Sequence, residues 1–356
     1  MFSFSELSLD DFSAFAGGQS SSNFLQSPFA FSRYQKKSQE AYLLGVYEKN
    51  KKTPLLLSAL VVLTSSRRGL KIFSVPGGPV VSDALLKTPS ELSSALAFFF
   101  NELKSFLKKK SGAVLELSPN LPFDSSLAAS LKSLGFKELG ELAQPKWIST
   151  LDLSKFDSPA TLLASFRDTH CHSIRYSDSR FHLETRELSR SELPVLKSLS
   201  DLAAKRHSFR PQSLAYFEEM FDAFGDHLKV VAAFAPPESS ESSEPPASSG
   251  KPLAAGMFLL YGPEVVYLYS GSDPEENKKC GSYAVQWYML EYALKHGYKT
   301  YNFYGTHPFQ SDGVFRFKAG FRAEVKELMG TFALPLSLPG RLWLARKPYK
   351  KYSDVA

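Results

Sequence analysis

Two features of this 356-residue chain predict an α/β fold built as two tandem units. Strand-like and helix-like apolar patterns alternate along its length. The same order of elements occurs twice. One short segment, Pro236 to Gly250 (PPESSESSEPPASSG), stands out as too polar to pack. With 43% hydrophobic and 22% charged residues, the chain has the material for two ordinary cores.

In the first copy, strand-like runs at 43–48 (LLGVYE), 55–63 (LLLSALVVL) and 70–75 (LKIFSV) are separated by polar turns. A helical pattern follows from Glu91 to Lys110, then a strand at 113–118, a helix from Ser125 to Leu134, and a glycine turn into a last strand. In the second copy the strands are expected at 229–235, 253–261 and 264–270, with Tyr261-Gly-Pro-Glu264 as a hairpin turn. A helix is predicted from about Pro274 to His296, with Tyr283, Trp287, Leu290 and Leu294 on one face, Pro274 in its first turn and Gly297 at its C-cap. A strand at 298–304 and a short helix around Phe315–Ala319 complete the copy. Even the last turns match: Leu134-Gly-Phe136-Lys-Glu138 echoes Ala319-Gly-Phe321-Arg-Ala-Glu324. The units are expected at 1–150 plus 335–356, and at 151–334, with 236–250 a mobile loop between neighbouring strands of one sheet.

Three antiparallel strands, helix, strand, helix, strand is the order of an N-acetyltransferase-like (GNAT) unit. Such units bind acyl-coenzyme A, with the pyrophosphate on glycine-rich backbone N–H groups where the central helix begins. Here Asp273 to Gly281 supplies one glycine, offset from the expected start, and two acids where a pyrophosphate would sit. The first copy, Asp83 to Glu91, has no glycine there. A different acyl donor is the expectation.

Composition narrows the setting. Forty-two Lys and Arg against 36 Asp and Glu leave +6, which suits a polyanionic partner without requiring one. The longest strongly apolar run, Leu55 to Leu63, is far short of the roughly 20 residues of a membrane span. Glu6, Asp10 and Asp11 stand where a secretion signal would carry lysines. The two cysteines make no disulfide framework, so a cytosolic protein with free thiols is expected. His170-Cys171-His172 invites a metal, but three consecutive residues do not converge on one tetrahedral ion, and no metal site is expected. Arg167, Arg175 and Arg180 either track an RNA backbone or form a solvated helix face. The stretch Arg341 to Lys351 has five basic residues and no acid; tRNA, anionic lipid and capping of the first unit are its three readings.

Several stretches, in order, carry a resemblance: Gln26-Ser27-Pro28, Phe31-Ser-Arg33, Val75-Pro-Gly-Gly-Pro79-Val80, Ser165-Phe-Arg167 through Ser173-Ile-Arg175, Tyr267-Leu-Tyr-Ser-Gly271, Gln286-Trp287, Tyr301-Asn-Phe-Tyr-Gly305 and Phe315-Arg-Phe-Lys318-Ala-Gly-Phe321. Together they are similar to the FemABX family of aminoacyltransferases, in its compact form without a coiled-coil arm. The resemblance implies transfer of an amino acid from aminoacyl-tRNA to the stem peptide of a UDP-linked or lipid-linked peptidoglycan precursor. It implies a cytoplasmic enzyme without metal or organic cofactor, with peripheral association at the inner membrane face. It places Lys318 in the acyl-transfer channel, where an ammonium stabilises the developing oxyanion. Arg33 and Arg210 are implied as the clamp on the precursor's diphosphate. Tyr216, Tyr269 and Phe317 are implied to line the substrate groove, and the C-terminal helix to return to the first unit.

Two positions depart from that family. Ser118-Pro119 stands where Asp-Pro is common, with Glu116 two residues away on the same strand face as a substitute carboxylate. Asn302 stands where the strand before the aromatic-Gly turn has Asp. Two alternatives therefore stay open: a coenzyme A-dependent N-acyltransferase, and a non-catalytic relative that binds precursor or tRNA.

Overall fold

The computed structural model describes residues 2–49, 53–67, 69–140, 144–207, 210–236, 250–308 and 312–347. It divides into two units, residues 1–148 with 326–356, and residues 149–325.

The first unit begins with β1 (Ser3–Glu6), α1 (Leu9–Ala16) and α2 (Pro28–Lys36). An antiparallel run follows: β2 (Ala41–Tyr47), β3 (Leu55–Arg67) and β4 (Leu70–Gly77). Then come β5 (Val80–Val81), α3 (Asp83–Leu86), α4 (Pro89–Lys109), β6 (Gly112–Pro119), α5 (Ser125–Ser133) and β7 (Lys137–Gly140). The 21-residue α4 buries Leu96, Phe99, Phe100, Leu103 and Leu107. That three-and-four spacing gives it one apolar stripe, which packs against Phe73, Val75, Leu115 and Leu117 of the central strands.

Parallel pairing of β4 with β6 begins at Lys71 opposite Gly112, shifts register once, and then runs without interruption from Ile72 opposite Val114 to Gly77 opposite Pro119. The end of that pair is closed by buried side chains. The Gln26 amide donates to Pro76 O at 2.8 Å and to Leu60 O at 3.2 Å, and accepts from Leu60 N at 2.7 Å. A Cβ on Gly77 would meet Asn23 Oδ1 at 2.7 Å, and one on Gly78 would meet Gln26 Cδ at 2.6 Å. The two sequence segments Gln26-Ser-Pro and Val75-Pro-Gly-Gly-Pro79 are thus the two sides of one contact.

The second unit holds β8 (Trp147–Asp152), α6 (Pro159–Ser165), α7 (Asp168–Ser179), β9 (Glu184–Glu187), α8 (Leu193–His207) and α9 (Leu214–Phe224). Next are β10 (Leu228–Phe234), β11 (Pro252–Tyr261), β12 (Glu264–Ser272), α10 (Gly281–Lys295), β13 (Thr300–Gly305), α11 (Gly313–Gly320) and β14 (Glu324–Glu327). Its sheet has the order β14-β8-β13-β12-β11-β10-β9. The chain then re-enters the first unit as β15 (Thr331–Pro335) and α12 (Leu338–Ala345), completing the sheet order β1-β2-β3-β4-β6-β15-β7.

Residues 326–334, read from sequence as part of the second unit, belong to the first. There β15 pairs antiparallel with both β6 and β7, and Met329 and Phe332 are fully buried in the first unit's core. The central helix of the second unit also starts later than its pattern predicts. Pro274–Lys279 is a 3₁₀ turn, Cys280 takes a left-handed conformation (φ 64°), and the α-helix opens at Gly281. Its buried positions are Gly281, Ala284, Val285, Gln286, Met289, Leu290 and Ala293, a broader face than the aromatic stripe read from sequence. The loop expected at 236–250 lies, over 237–249, outside the described residues. Among the described residues no helix is long and apolar enough to cross a membrane.

Candidate active site

The parallel pair of the second unit, β12 with β13, starts like its counterpart and then opens. Pairing runs from Glu264 opposite Thr300 to Val266 opposite Asn302, and stops. Beyond that point Tyr304 is left-handed (φ 61°), a conformation that costs a non-glycine residue about 1 kcal/mol. Asn302 holds it there by accepting the Tyr304 N–H on Oδ1 at 2.8 Å, while its Nδ2 donates to Glu264 Oε1 at 3.0 Å. Both ends of the amide are used. An aspartate at this position would set carboxylate against carboxylate, so the departure from Asp serves the shape of the strand.

The opening is a cleft of about 1060 Å³. Residues 267–272 of β12 form one wall and 303–305 of β13 another, with the start of α10 between them. On the far side α8 crosses so closely at Gly271 that a Cβ there would lie 2.2 Å from the Leu199 carbonyl carbon. This crossing accounts for the glycine of the Tyr267-Leu-Tyr-Ser-Gly271 segment and brings Ser200, Ala203 and Arg206 to the cleft. Among the described residues Arg167, Arg206, Arg210, Arg316 and Lys318 line the space, against one carboxylate, Glu276. Glu276 is itself held by Lys279 and Lys251, each at 2.9 Å, and these bonds keep its pKa below the ordinary value. The cleft therefore presents a net positive field to an anionic ligand.

Lys318, on α11, is 5% exposed yet reaches the cleft. Its ammonium donates to the carbonyl oxygen of Gly305 and, at 3.5 Å, to that of Tyr304. Removal from water pulls its pKa down to about 7, with the Asp312 carboxylate opposing. An ammonium has three donors, so one N–H is left without a partner among the described residues. The left-handed turn just beyond the last strand pair thus supplies the carbonyls that hold the lysine.

Of the residues singled out from sequence, Lys318, Arg210, Tyr269 and Phe317 line this one cleft. Tyr216 adjoins it: its hydroxyl lies 3.0 Å from that of Tyr269, with the rings edge to face at 5.8 Å. Arg33, half-buried in the last turn of α2, and Glu116, on β6, belong to the first unit. Burial raises the Glu116 carboxyl pKa, the Lys347 charge opposing. Ser118 is buried with its hydroxyl 3.0 Å from that of Thr331, a satisfied pair inside the sheet. Gly281 is not offset: it is the first residue of α10, and a Cβ on it would meet Leu253 Cβ at 2.9 Å, so close packing on β11 accounts for it.

His170 and His172 lie on opposite sides of α7, one buried and one exposed, and the Cys171 thiol donates to Leu163 O. Among the described residues no cluster of three such side chains is placed to hold a metal. Sequence reasoning missed Arg206, Arg316 and the Tyr304 and Gly305 carbonyls as cleft elements. The positive φ of Tyr304 has no signature in its residue type.

The family model of the FemAB family matches residues 7–242 and 237–339. Aminoacyltransferase FemA of Staphylococcus aureus (strain N315) is 24% identical, over 99% of this chain and 99% of that protein. The crystal structure of FemX superposes with a TM-score of 0.79 at 18% identity, over 97% of this chain and 100% of that one. A tandem GNAT protein from the clavulanic acid biosynthesis pathway gives a TM-score of 0.53 at 13% identity, over 95% and 99% of the two chains.

Proposed function

Because this chain belongs to the FemAB family and is an aminoacyltransferase of peptidoglycan interpeptide-bridge formation, we propose that it takes its amino acid from aminoacyl-tRNA and places it on an amine of a precursor's stem peptide. The observation that carries this reading is Lys318, a buried ammonium with one N–H to spare, at the wall of a cation-lined cleft.

The neutral acceptor amine attacks the ester carbonyl of the charged tRNA. As the carbonyl oxygen gains charge, the free N–H of Lys318 hydrogen-bonds to it, an interaction stronger in the transition state than before. Collapse breaks the C–O bond to the ribose, and the proton released by the amine ends on the ribose oxygen. The ester is already activated, so the step draws on no metal or organic cofactor. Arg210 is assigned to the precursor's phosphates, where guanidinium forms paired charge-assisted bonds; a phosphate contact by Arg33, in the first unit, is a separate assignment. Tyr216, Tyr269 and Phe317 are assigned to the substrate groove. Glu116 is not assigned a proton-transfer role.

The reaction is assigned to the cytoplasm. Peripheral contact with the inner membrane face is supported by α12, whose outer side exposes Leu338 (70%) and Leu342 (59%) beside Arg341 and Arg346. Co-sedimentation with anionic vesicles, lost in Leu338→Glu/Leu342→Glu, is the check on that part.

The decisive assay combines charged tRNA with a muropeptide precursor. Amino-acid transfer should appear, should be abolished by ribonuclease pretreatment, and should slow with added salt at subsaturating tRNA. Acetyl-coenzyme A should neither substitute nor compete. Transfer from a coenzyme A thioester that survives ribonuclease would overturn the reading. So would precursor binding without transfer from any of a set of charged tRNAs.

A further inference from the structure

His170 lines the cleft but has no part in the transfer as assigned above. It is 6% exposed and boxed by aromatic rings: Tyr283 at 5.0 Å, Phe317 at 5.9 Å and Phe321 at 4.8 Å between centroids. Its Nε2 lies 2.8 Å from Phe317 O. A carbonyl only accepts, so Nε2 carries the hydrogen, and Nδ1 is left facing Thr169 Oγ1 at 3.4 Å. Burial pushes the imidazole pKa below its ordinary value; the Phe317 bond opposes this and the Arg167 charge reinforces it. The ring stays neutral, as its apolar box requires.

Phe317 is the residue before Lys318 on α11. That helix has eight residues, too few to hold a fixed position by its own hydrogen bonds. The start of α7 grips it on both sides of the lysine. His170 binds Phe317 O, and the Arg167 N–H donates to Gly320 O at 3.0 Å. Gly320 itself makes room for the ring, because a Cβ there would lie 1.9 Å from His170 Cε1. Gly320 is helical, so its lack of a side chain answers to the imidazole and not to a special backbone angle.

We propose that His170 is a positioning residue for the transfer: it fixes the height and rotation of α11 so that Lys318 Nζ is held on the Tyr304 and Gly305 carbonyls and aimed into the cleft. The inference rests on Lys318 acting in the reaction. A flat ring with one directed N–H does both tasks, filling the slot over Gly320 and tethering the neighbouring carbonyl.

The test is a mutant cycle in the full chain, using charged tRNA and a soluble UDP-linked muropeptide. His170→Phe keeps ring volume and lacks the donor. Its kcat should fall about 10- to 100-fold, the cost of a small misplacement of a catalytic group, with KM for both substrates within about twofold of wild type. His170→Gln, which restores an N–H, should recover part of the loss. Gly320→Ala, which keeps the histidine but displaces its ring, should reproduce the loss. The double variant His170→Phe/Lys318→Met should be no slower than Lys318→Met alone, because a positioning residue has nothing left to position. Should His170→Phe fail to fold, His170→Gln and Gly320→Ala enter the same cycle with Lys318→Met. Wild-type kcat in the histidine and glycine variants, or losses that multiply in the double variant, would overturn the inference alone. Wild-type turnover in Lys318→Met would overturn the Lys318 assignment and this inference with it.

Discussion

Each unit has a parallel strand pair at the centre of its sheet, and the two pairs have opposite fates. In the first unit β4 and β6 stay paired to Gly77 and Pro119, and the end of the pair is closed by Gln26 and Asn23. In the second, β12 and β13 part company after Val266 and Asn302; just beyond, β12 shifts register between Tyr267 and Tyr269 and Tyr304 of β13 is left-handed. The released edge of β12 and the turned carbonyls of β13 form the walls of the cleft and the seat of Lys318. The same topology thus gives a closed strand pair in one case and a cation-lined cleft in the other. The difference lies in the strands as well as in the polar side chains at their ends: Tyr304 within β13 is left-handed, and β12 shifts register against β11 between Tyr267 and Tyr269.

The sharpest test of this contrast is the cost of the buried lysine. The folded-state pKa of Lys318, about 7, lies below its ordinary 10.5, so between those values the unfolded chain binds the extra proton. Wild-type stability should therefore rise with pH across that window. Relative to Lys318→Met, the wild type should lose up to roughly 5 kcal/mol as pH falls from about 10.5 to about 7, and no more below it. Denaturant titrations of both proteins at several pH values measure this; a pH-independent difference would mean that the lysine is not buried as described.

Turnover comes next. Lys318→Met should lower kcat by about 10²- to 10³-fold, the loss of one oxyanion donor, while precursor binding measured by titration stays unchanged. In the closed pair the expected damage is of another kind. Gln26→Ala strands the backbone groups of Leu60 and Pro76 and should cost roughly 2–4 kcal/mol of stability, with kcat per folded molecule retained. A large fall in kcat there would dissolve the division between a structural and a catalytic pair.

Arg210→Ala and Arg33→Ala should each weaken precursor binding by roughly 1.5–3 kcal/mol, provided the diphosphate is present. Equal losses against an isolated stem peptide would remove the phosphate assignment. The smallest effect is expected at Ser118→Ala. Leaving the Thr331 hydroxyl unpaired should cost about 1 kcal/mol of stability with transfer unaltered; a loss of activity would restore a chemical role to that position.

Much of this was legible in the sequence because it is written in short-range patterns. Alternation at period two, and the three-and-four spacing of Leu96, Phe99, Phe100 and Leu103, place strands and helices directly. The repeat of their order gives the tandem architecture. Segment similarity gave the family and brought Lys318, Arg210, Tyr269 and Phe317 forward as candidates, and folding gathers these four around one cleft. The helix start was misread because Pro274-Glu-Glu-Asn-Lys-Lys279 has good helical composition, while the left-handed Cys280 that breaks it carries no local mark.

Four matters were decided only by tertiary structure. The allocation of 326–334 to the first unit depends on β15 finding β6 and β7, residues far away in the chain, which no local pattern encodes. The glycines at 271, 281 and 320 are required by elements that cross them, so their roles appear only when the crossing partner is known. The meaning of Asn302 depends on Glu264, 38 residues away, which takes the hydrogen bond that an aspartate could not donate. And the pKa of Lys318 is a property of its burial: the sequence supplies an ammonium, but exclusion of water by the folded chain is what brings it to about 7.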